Sequence, residues 1–398
     1  MAGISAQQIA ELVPCSLDQV TRLDELGILG PHRDDGRFEP AAVHVVRLMA
    51  AFQEAGVSLE DIARGVERGE LSFPLGLFMP EPAAMSKTYD QLGAELERDP
   101  ELLRRLSREL GLPPLPGDRI RDEDAELLTL MVTKLDLADD EDLSRFARLY
   151  GGAMQRLVPS GLQWFDRTVR QRVDTWDLPD PERDAAVYGR GAEFAQVSAT
   201  VVPWLQRRHR EHAVLDYLVN VTEASMEARG MTPTHAKQPP AIAFLDLTGY
   251  TALAEEQGDE AAAELATALA GLVDEAVRDH GGRPVKWLGD GVMFHFRDPA
   301  GAVVGGLELV EQTETTIRVP ARMGINAGAV IAQEGDYFGR TVNVAARIAD
   351  YARPHEVLVS EEARRSAAGA DVAFEAIGDV PLKGVSKPVR LHKVTRSR

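Results

Sequence analysis

Asp246 and Asp290 stand 44 positions apart, the first closing a short apolar run and the second inside Gly289-Asp290-Gly291. Carboxylates are hard oxygen donors. Two of them at one loop-rich rim suit Mg²⁺ or Mn²⁺ and two-metal phosphoryl transfer. Asn343 and Arg347 lie four residues apart in TVNVAARIAD, a spacing that sets both side chains on one helix face so that they can act together. Lys286 and Asp336, taken alone, read as ordinary surface charges, and either Asp246 or Asp290 alone reads as an exposed turn residue.

From Ala241 the pattern alternates strand and helix. AIAFLDL is a short apolar strand, and EAAAELATALAGLVDEAVRDH a helix closed by Gly281 and Gly282. RPVKWL and VMFHF then form the arms of a hairpin around Gly289-Asp290-Gly291. A further helix is expected over about 299–313, followed by a strand region holding ARMGINAGAVI. The order β-α-β-β-α-β predicts a ferredoxin-like split unit. In that unit the first two strands run parallel on either side of the third, so the hairpin turn lies beside the C-terminal end of the first strand. The two carboxylates should therefore meet at one rim.

FLDLTGYT, VKWLGDGVMFHF, GDYFGRTVNVAARI and LKG, in this order, resemble the catalytic domain of class III adenylyl and guanylyl cyclases over essentially all of 241–398. Diguanylate cyclases share the sheet topology but would carry Gly-Gly-Asp/Glu-Glu-Phe at the hairpin turn, where this chain has Leu-Gly-Asp-Gly. The resemblance implies conversion of ATP to cyclic AMP and pyrophosphate. It implies two Mg²⁺ or Mn²⁺ ions per site on Asp246 and Asp290, with the backbone carbonyl of Leu247 a further ligand. It matches Lys286 and Asp336 to the base-reading positions. An ammonium and a carboxylate complement the N1 acceptor and 6-amino donor of adenine, whereas guanine presents the reverse polarities. Asn343 is implied to orient the ribose, Arg347 to stabilise charge on the α-phosphate, and Lys383 to reach the terminal phosphates. Sites in this family lie between two catalytic domains, so a chain with a complete set is expected to work as a head-to-tail homodimer. GINAGAVI departs from the family in having Asn326 and Ala327 where a His-Thr pair is frequent.

The expected organisation is multidomain: an all-α regulatory part followed by the α+β, ferredoxin-like cyclase domain. Residues 1–75 read as helices Ser5 to Leu12, Leu17 to Leu26, Pro40 to Ala55 and one headed by Ser58, with turns at Gly27, Gly36 and Gly56. This segment resembles a MerR-type winged helix-turn-helix, through RLDELGIL and AGVSLEDI. It carries twelve acidic residues against six arginines and no lysine, which disfavours DNA as a partner. Its recognition helix offers only Arg22 for phosphate and Gln19 for bases. Residues 76–229 read as a helical regulatory domain whose aromatics, Trp164, Phe165, Trp176, Tyr188, Phe194 and Trp204, are expected in the core. A small molecule or a lipid in that domain, or protons acting through His209 and His212, are the candidate regulators. A linker is expected at 230–240.

The net charge of −19 means that a cation must mediate contact with a polyphosphate. The single cysteine, Cys15, excludes an intrachain disulfide framework and reads as a buried thiol. No run approaches a membrane span and no apolar leader is apparent, so a cytoplasmic location is expected. The rival reading is a MerR-like transcription regulator whose cyclase-like domain senses nucleotide without turning it over.

Overall fold

The structure, a computed structural model, describes all residues except 1, 2, 14, 34, 81, 232–238, 251–254, 257, 334 and 398. It contains two compact units, Met1–Val219 and Asn220–Arg398. Most of the expected 230–240 linker lies outside the described residues.

In the first unit, α1 (Ala6–Leu12), α2 (Leu17–Glu25), α3 (Ala42–Glu54) and α4 (Leu59–Glu67) pack around Ile9, Val20, Val43 and Met49. Ser5 and Ser16 open the first two helices with capping boxes, closed by Gln8 and Gln19. Gly27, Gly36 and Gly56 all take positive φ, as turns there require. A separate core gathers Leu92, Leu103, Leu106, Leu128 and Leu143. It is built by α5 (Tyr89–Leu96), α6 (Pro100–Leu110), α7 (Asp122–Lys134) and the start of α8 (Asp140–Phe165); the long α9 (Asp180–Ala228) follows, its residues from Asn220 on belonging to the second unit.

The expected aromatic core is not what these last helices form. Trp164 is 54 % exposed, Trp176 42 % and Trp204 49 %. Trp164 and Phe165 do meet Phe194, with ring centroids 5.9 and 5.4 Å apart, but this contact stays at the surface of the unit. Trp164 on α8 and Trp204 on α9 stand among other exposed apolar residues, Leu157, Leu162, Val197 and Val201, which no described element of the unit covers, and Trp176 lies in the segment between the two helices. Cys15 is half-buried, and burial raises its thiol pKa. No helix among the described residues is long and apolar enough to cross a membrane.

The second unit is built on seven strands: β1 (Ala241–Leu247), β2 (Gly282–Leu288), β3 (Gly291–Phe296), β4 (Ala321–Ala327), then β7 (Val357–Ser360), β8 (Val372–Val380) and β9 (Val389–Arg396). Their order is β8-β9-β7-β4-β1-β3-β2, so β1 sits inside the sheet, antiparallel to both β3 and β4. A two-stranded hairpin, β5 (Ile331–Gln333) and β6 (Asp336–Phe338), stands apart from this sheet. Ala241, Ala243, Leu245 and Leu247 point to one face, where α10 (Asp259–Arg278) and α11 (Pro299–Gln312) supply Leu269, Val273, Val303 and Leu309. Ile242 and Phe244 point to the other, against Val342 and Ala345 of α12 (Arg340–Tyr351). The period of two along β1 therefore carries Asp246 onto the α12 face.

Helix α12 lies so close to β4 that a Cβ on Gly324 would fall 2.1 Å from the Ala349 nitrogen and 2.7 Å from the Ala345 carbonyl oxygen. On the same face, burial together with Arg283 and Arg297 pulls the pKa of His295 down to about 4.

Gly324→Ala should push α12 off the sheet, costing about 2 kcal/mol and lowering the unfolding midpoint by roughly 5 °C in calorimetry. His295 adds a pH dependence. Its folded pKa lies below the unfolded value, so the stability it permits is complete above the unfolded pKa of about 6.5 and is lost as pH falls toward 4. Urea titrations of His295→Phe and the unaltered chain should diverge in favour of the variant across that window. Parallel curves would contradict this assignment.

Candidate active site

The end of β1 is held from both sides. Asp246 is in register with Gly291 on β3 and with Arg322 on β4. Immediately after it, the Leu247 N–H donates to the Asp290 carbonyl at 3.1 Å, and the Thr248 N–H donates to the Pro320 carbonyl at 2.8 Å. These bonds lock the hairpin turn against the strand end, so the backbones of the two aspartates are neighbours. A Cβ on Gly291 would sit 2.8 Å from the Leu245 carbonyl oxygen and 3.9 Å from Oδ1 of Asp246. The turn closes tightly because that position is glycine, and the Asp246 carboxylate lies over it.

Arg322 is a residue that motif reading passed over. Its Nε donates to Oδ2 of Asp246 at 2.8 Å, while Nη1 reaches the carbonyls of Asp350 and Ala352 at 3.2 Å each. The guanidinium thus ties the carboxylate to the C-terminal end of α12, where carbonyls without helical partners carry partial negative charge. The only signal in the sequence was an arginine on the alternate face of ARMGINA, and its meaning depends on the β1–β4 register.

The donors at this rim are the carboxylates of Asp246 and Asp290 and the Leu247 carbonyl, all hard oxygens of the kind that Mg²⁺ and Mn²⁺ take. Their chemistry fits such ions. Among the described residues no group of three or more His, Cys, Asp or Glu is arranged to hold a metal ion, so an ion here would rely on these two carboxylates with backbone and substrate oxygens.

Lys286 and Asp336, 50 positions apart, form an ion pair between β2 and β6, with side chains 39 % and 27 % exposed. The other Asp336 oxygen accepts the Tyr337 N–H at 2.8 Å. This leaves an ammonium and a carboxylate side by side at the surface.

Helix α12 buries Val344, Ala345, Ile348 and Ala349 and leaves Asn343 and Arg347 exposed. Arg347 Nη1 bonds Oδ2 of Asp350 at 2.7 Å. Among the described residues, no hydrogen bond or ion pair joins Asn343 or Arg347 to Asp246 or Asp290. Lys383 is exposed in the turn between Leu382 and Val385, where Gly384 takes φ +77°. Asn326 is buried and donates from Nδ2 to the Thr341 carbonyl at 3.1 Å, fastening β4 to the start of α12.

In the first unit, the two residues that the helix-turn-helix resemblance would offer to DNA have local partners. Arg22 forms an ion pair with Glu60, and Gln19 accepts the Ser16 N–H at 2.7 Å as part of its capping box. His209 is exposed on α9, and the His212 side chain lies outside the described residues.

The profile of the adenylate and guanylate cyclase catalytic domain matches residues 233–395. A pH-sensitive adenylate cyclase of Mycobacterium tuberculosis (strain CDC 1551 / Oshkosh) is 31% identical over 318 residues, 75% of this chain and 75% of the relative. An uncharacterized protein of Mycobacterium tuberculosis (strain ATCC 25618 / H37Rv) is 26% identical over 361 residues, 88% of this chain and 91% of its own length. Among solved structures, the adenylyl cyclase CyaB from P. aeruginosa aligns at 26% identity with a TM-score of 0.37, covering 40% of this chain and 95% of that one. With a catalytic domain of this family and a relative matched across three quarters of both chains, the protein belongs to the class III adenylate and guanylate cyclase family.

Proposed function

We propose that this chain is an adenylyl cyclase that converts ATP to 3′,5′-cyclic AMP and pyrophosphate at sites shared by two copies. The observation that carries the choice of nucleotide is the Lys286–Asp336 pair. The ammonium meets the N1 acceptor of adenine and the carboxylate its 6-amino group, while guanine offers each the wrong polarity. A relative of 31% identity that bears the name adenylate cyclase supports the same choice.

In the reaction the ribose 3′-oxygen attacks the α-phosphorus, the bond to the bridging oxygen of the β-phosphate breaks, and the 3′-hydroxyl proton is lost as pyrophosphate leaves. Asp246, Asp290 and the Leu247 carbonyl would hold two Mg²⁺ or Mn²⁺ ions, which would supply acidification of that hydroxyl and neutralisation of phosphate charge. Asn343 orients the ribose. Arg347 exchanges its exposed bond to Asp350 for the α-phosphate, whose charge grows in the transition state. Lys383 is free to meet the terminal phosphates. Arg322 keeps the Asp246 carboxylate aimed at the rim.

A second copy is the simplest way to bring Asn343 and Arg347 to the carboxylate rim, since one chain leaves them unconnected. Trp287, Leu288, Ile331 and Phe338, which flank the base-reading pair in sequence, are 44 %, 47 %, 64 % and 47 % exposed. Apolar exposure of that extent beside a polar site is typical of a surface that another chain covers. The helical first unit is assigned a regulatory role, with protons or a lipid as the signal. The transcription-regulator reading gains nothing from Arg22 and Gln19, both of which are occupied locally.

Purified full chain with ATP and Mn²⁺ should form cyclic AMP, with GTP a much poorer substrate. Asp290→Ala should abolish the product, and Arg347→Ala should lower kcat about 10²-fold or more. Failure of the unaltered chain to form cyclic AMP would sink the reading. Mixing Asp246→Ala with Arg347→Ala, each nearly inactive alone, should restore about a quarter of the unaltered activity, because half of the dimers carry one intact site of two. No recovery after subunit exchange would contradict the shared site.

A further inference from the structure

We infer that Tyr337, gripped between His295 and Arg283, is a positioning residue that fixes Asp336 against Lys286 and thereby sets which purine the site accepts. This rests on the reading of Lys286 and Asp336 as the base-recognising pair.

The β5–β6 hairpin has its own register, Ile331 with Phe338, Ala332 with Tyr337 and Gln333 with Asp336, and shares no backbone ladder with the seven-stranded sheet. Side chains must therefore hold it in place. Within β5 and β6, Tyr337 is the one buried residue, at 8 % exposure; Ile331, Ala332, Gln333 and Phe338 are exposed and Asp336 is partly so. Its ring stacks on His295 with centroids 4.5 Å apart and planes 12° from parallel. The Arg283 guanidinium lies 5.6 Å from the ring centroid and donates to the phenolic oxygen at 2.5 Å. Stacking and a cation over an aromatic face both favour this placement of the ring.

The two gripping residues are themselves a pair across the β2–β3 ladder, Arg283 opposite His295. Three residues along β2, Lys286 stands opposite Met293, because the register shifts between Pro284 and Lys286. A regular strand would put residues three apart on opposite faces. The bulge restores them to one face, since Met293 and His295 are two apart on β3. One bulged strand thus carries both reference points: Lys286 touches Asp336 directly, and Arg283 holds the tyrosine next to it. Burial beside Arg283 and Arg297 keeps His295 uncharged at neutral pH, so its ring adds no repulsion to the cation near it. If the tyrosine is lost, the hairpin loses its buried anchor, the carboxylate drifts, and the acceptor for the 6-amino group is misplaced.

The test is steady-state kinetics of the full chain with ATP and with GTP in Mn²⁺. Tyr337→Ala should raise KM for ATP about tenfold and lower the ATP:GTP ratio of kcat/KM, with a smaller effect on kcat. Tyr337→Phe, which keeps the ring, should recover most of the ratio. Arg283→Met should lower it in the same direction, and this variant decides the matter if Tyr337→Ala does not fold. Because the tyrosine acts through Asp336, the double variant Asp336→Ala, Tyr337→Ala should discriminate no worse than Asp336→Ala alone. An unchanged ratio in folded Tyr337→Ala or in Arg283→Met, while Asp336→Ala does change it, overturns the inference alone. An unchanged ratio in Asp336→Ala and Lys286→Ala instead overturns the base-reading assignment beneath it.

Discussion

Strand β1 is bonded along both edges, and that double ladder is the constraint on which the rest of the catalytic unit depends. Asp246 cannot shift without breaking pairs to both Gly291 and Arg322. The next peptide is tied to the turn carrying Asp290. A rim built on the inner strands of a sheet is stiff, and stiffness is what two acidic groups need if they are to share cations instead of repelling each other apart. The ion pair with Arg322 balances one of those charges from the α12 side, so helix and rim are held as one piece.

The Lys286–Asp336 pair, proposed to read the base, is positioned by a different device. It depends on a bulge in an edge strand and on one aromatic side chain under a detached hairpin, and both are local irregularities superimposed on a regular sheet. Bulges near active sites commonly re-aim a side chain in this way. Here the redirected group is Lys286, and it meets Asp336, the neighbour of the buried Tyr337 that we infer seats the hairpin. The proposed metal rim and the proposed base-reading pair therefore rest on separate structural supports, and substitutions at one need not disturb the other.

The helical unit shows where periodicity misleads. Trp164, Trp176 and Trp204 occur at helical spacing, and such residues usually mark a core, yet they stand at the surface of their unit. A one-dimensional pattern reports that a face is apolar; it does not report whether anything lies on top of it. Gln19 and Arg22 illustrate the converse. Their side chains fit DNA recognition by type, and the structure occupies them with a capping box and an ion pair.

By itself the amino-acid order determined the local elements of the catalytic unit: the strand over Ala241–Leu247, the hairpin around Gly289-Asp290-Gly291, and the helix face shared by Asn343 and Arg347. Those features come from alternation, turn chemistry and the helical repeat, all set by neighbours within a few residues. Only the tertiary structure decided that Arg322 meets Asp246, that Arg283 and Lys286 share a face, and that Tyr337 is the buried anchor beside Asp336. Each of these depends on register between strands far apart in the chain, and a shift of one residue reverses which face a side chain occupies.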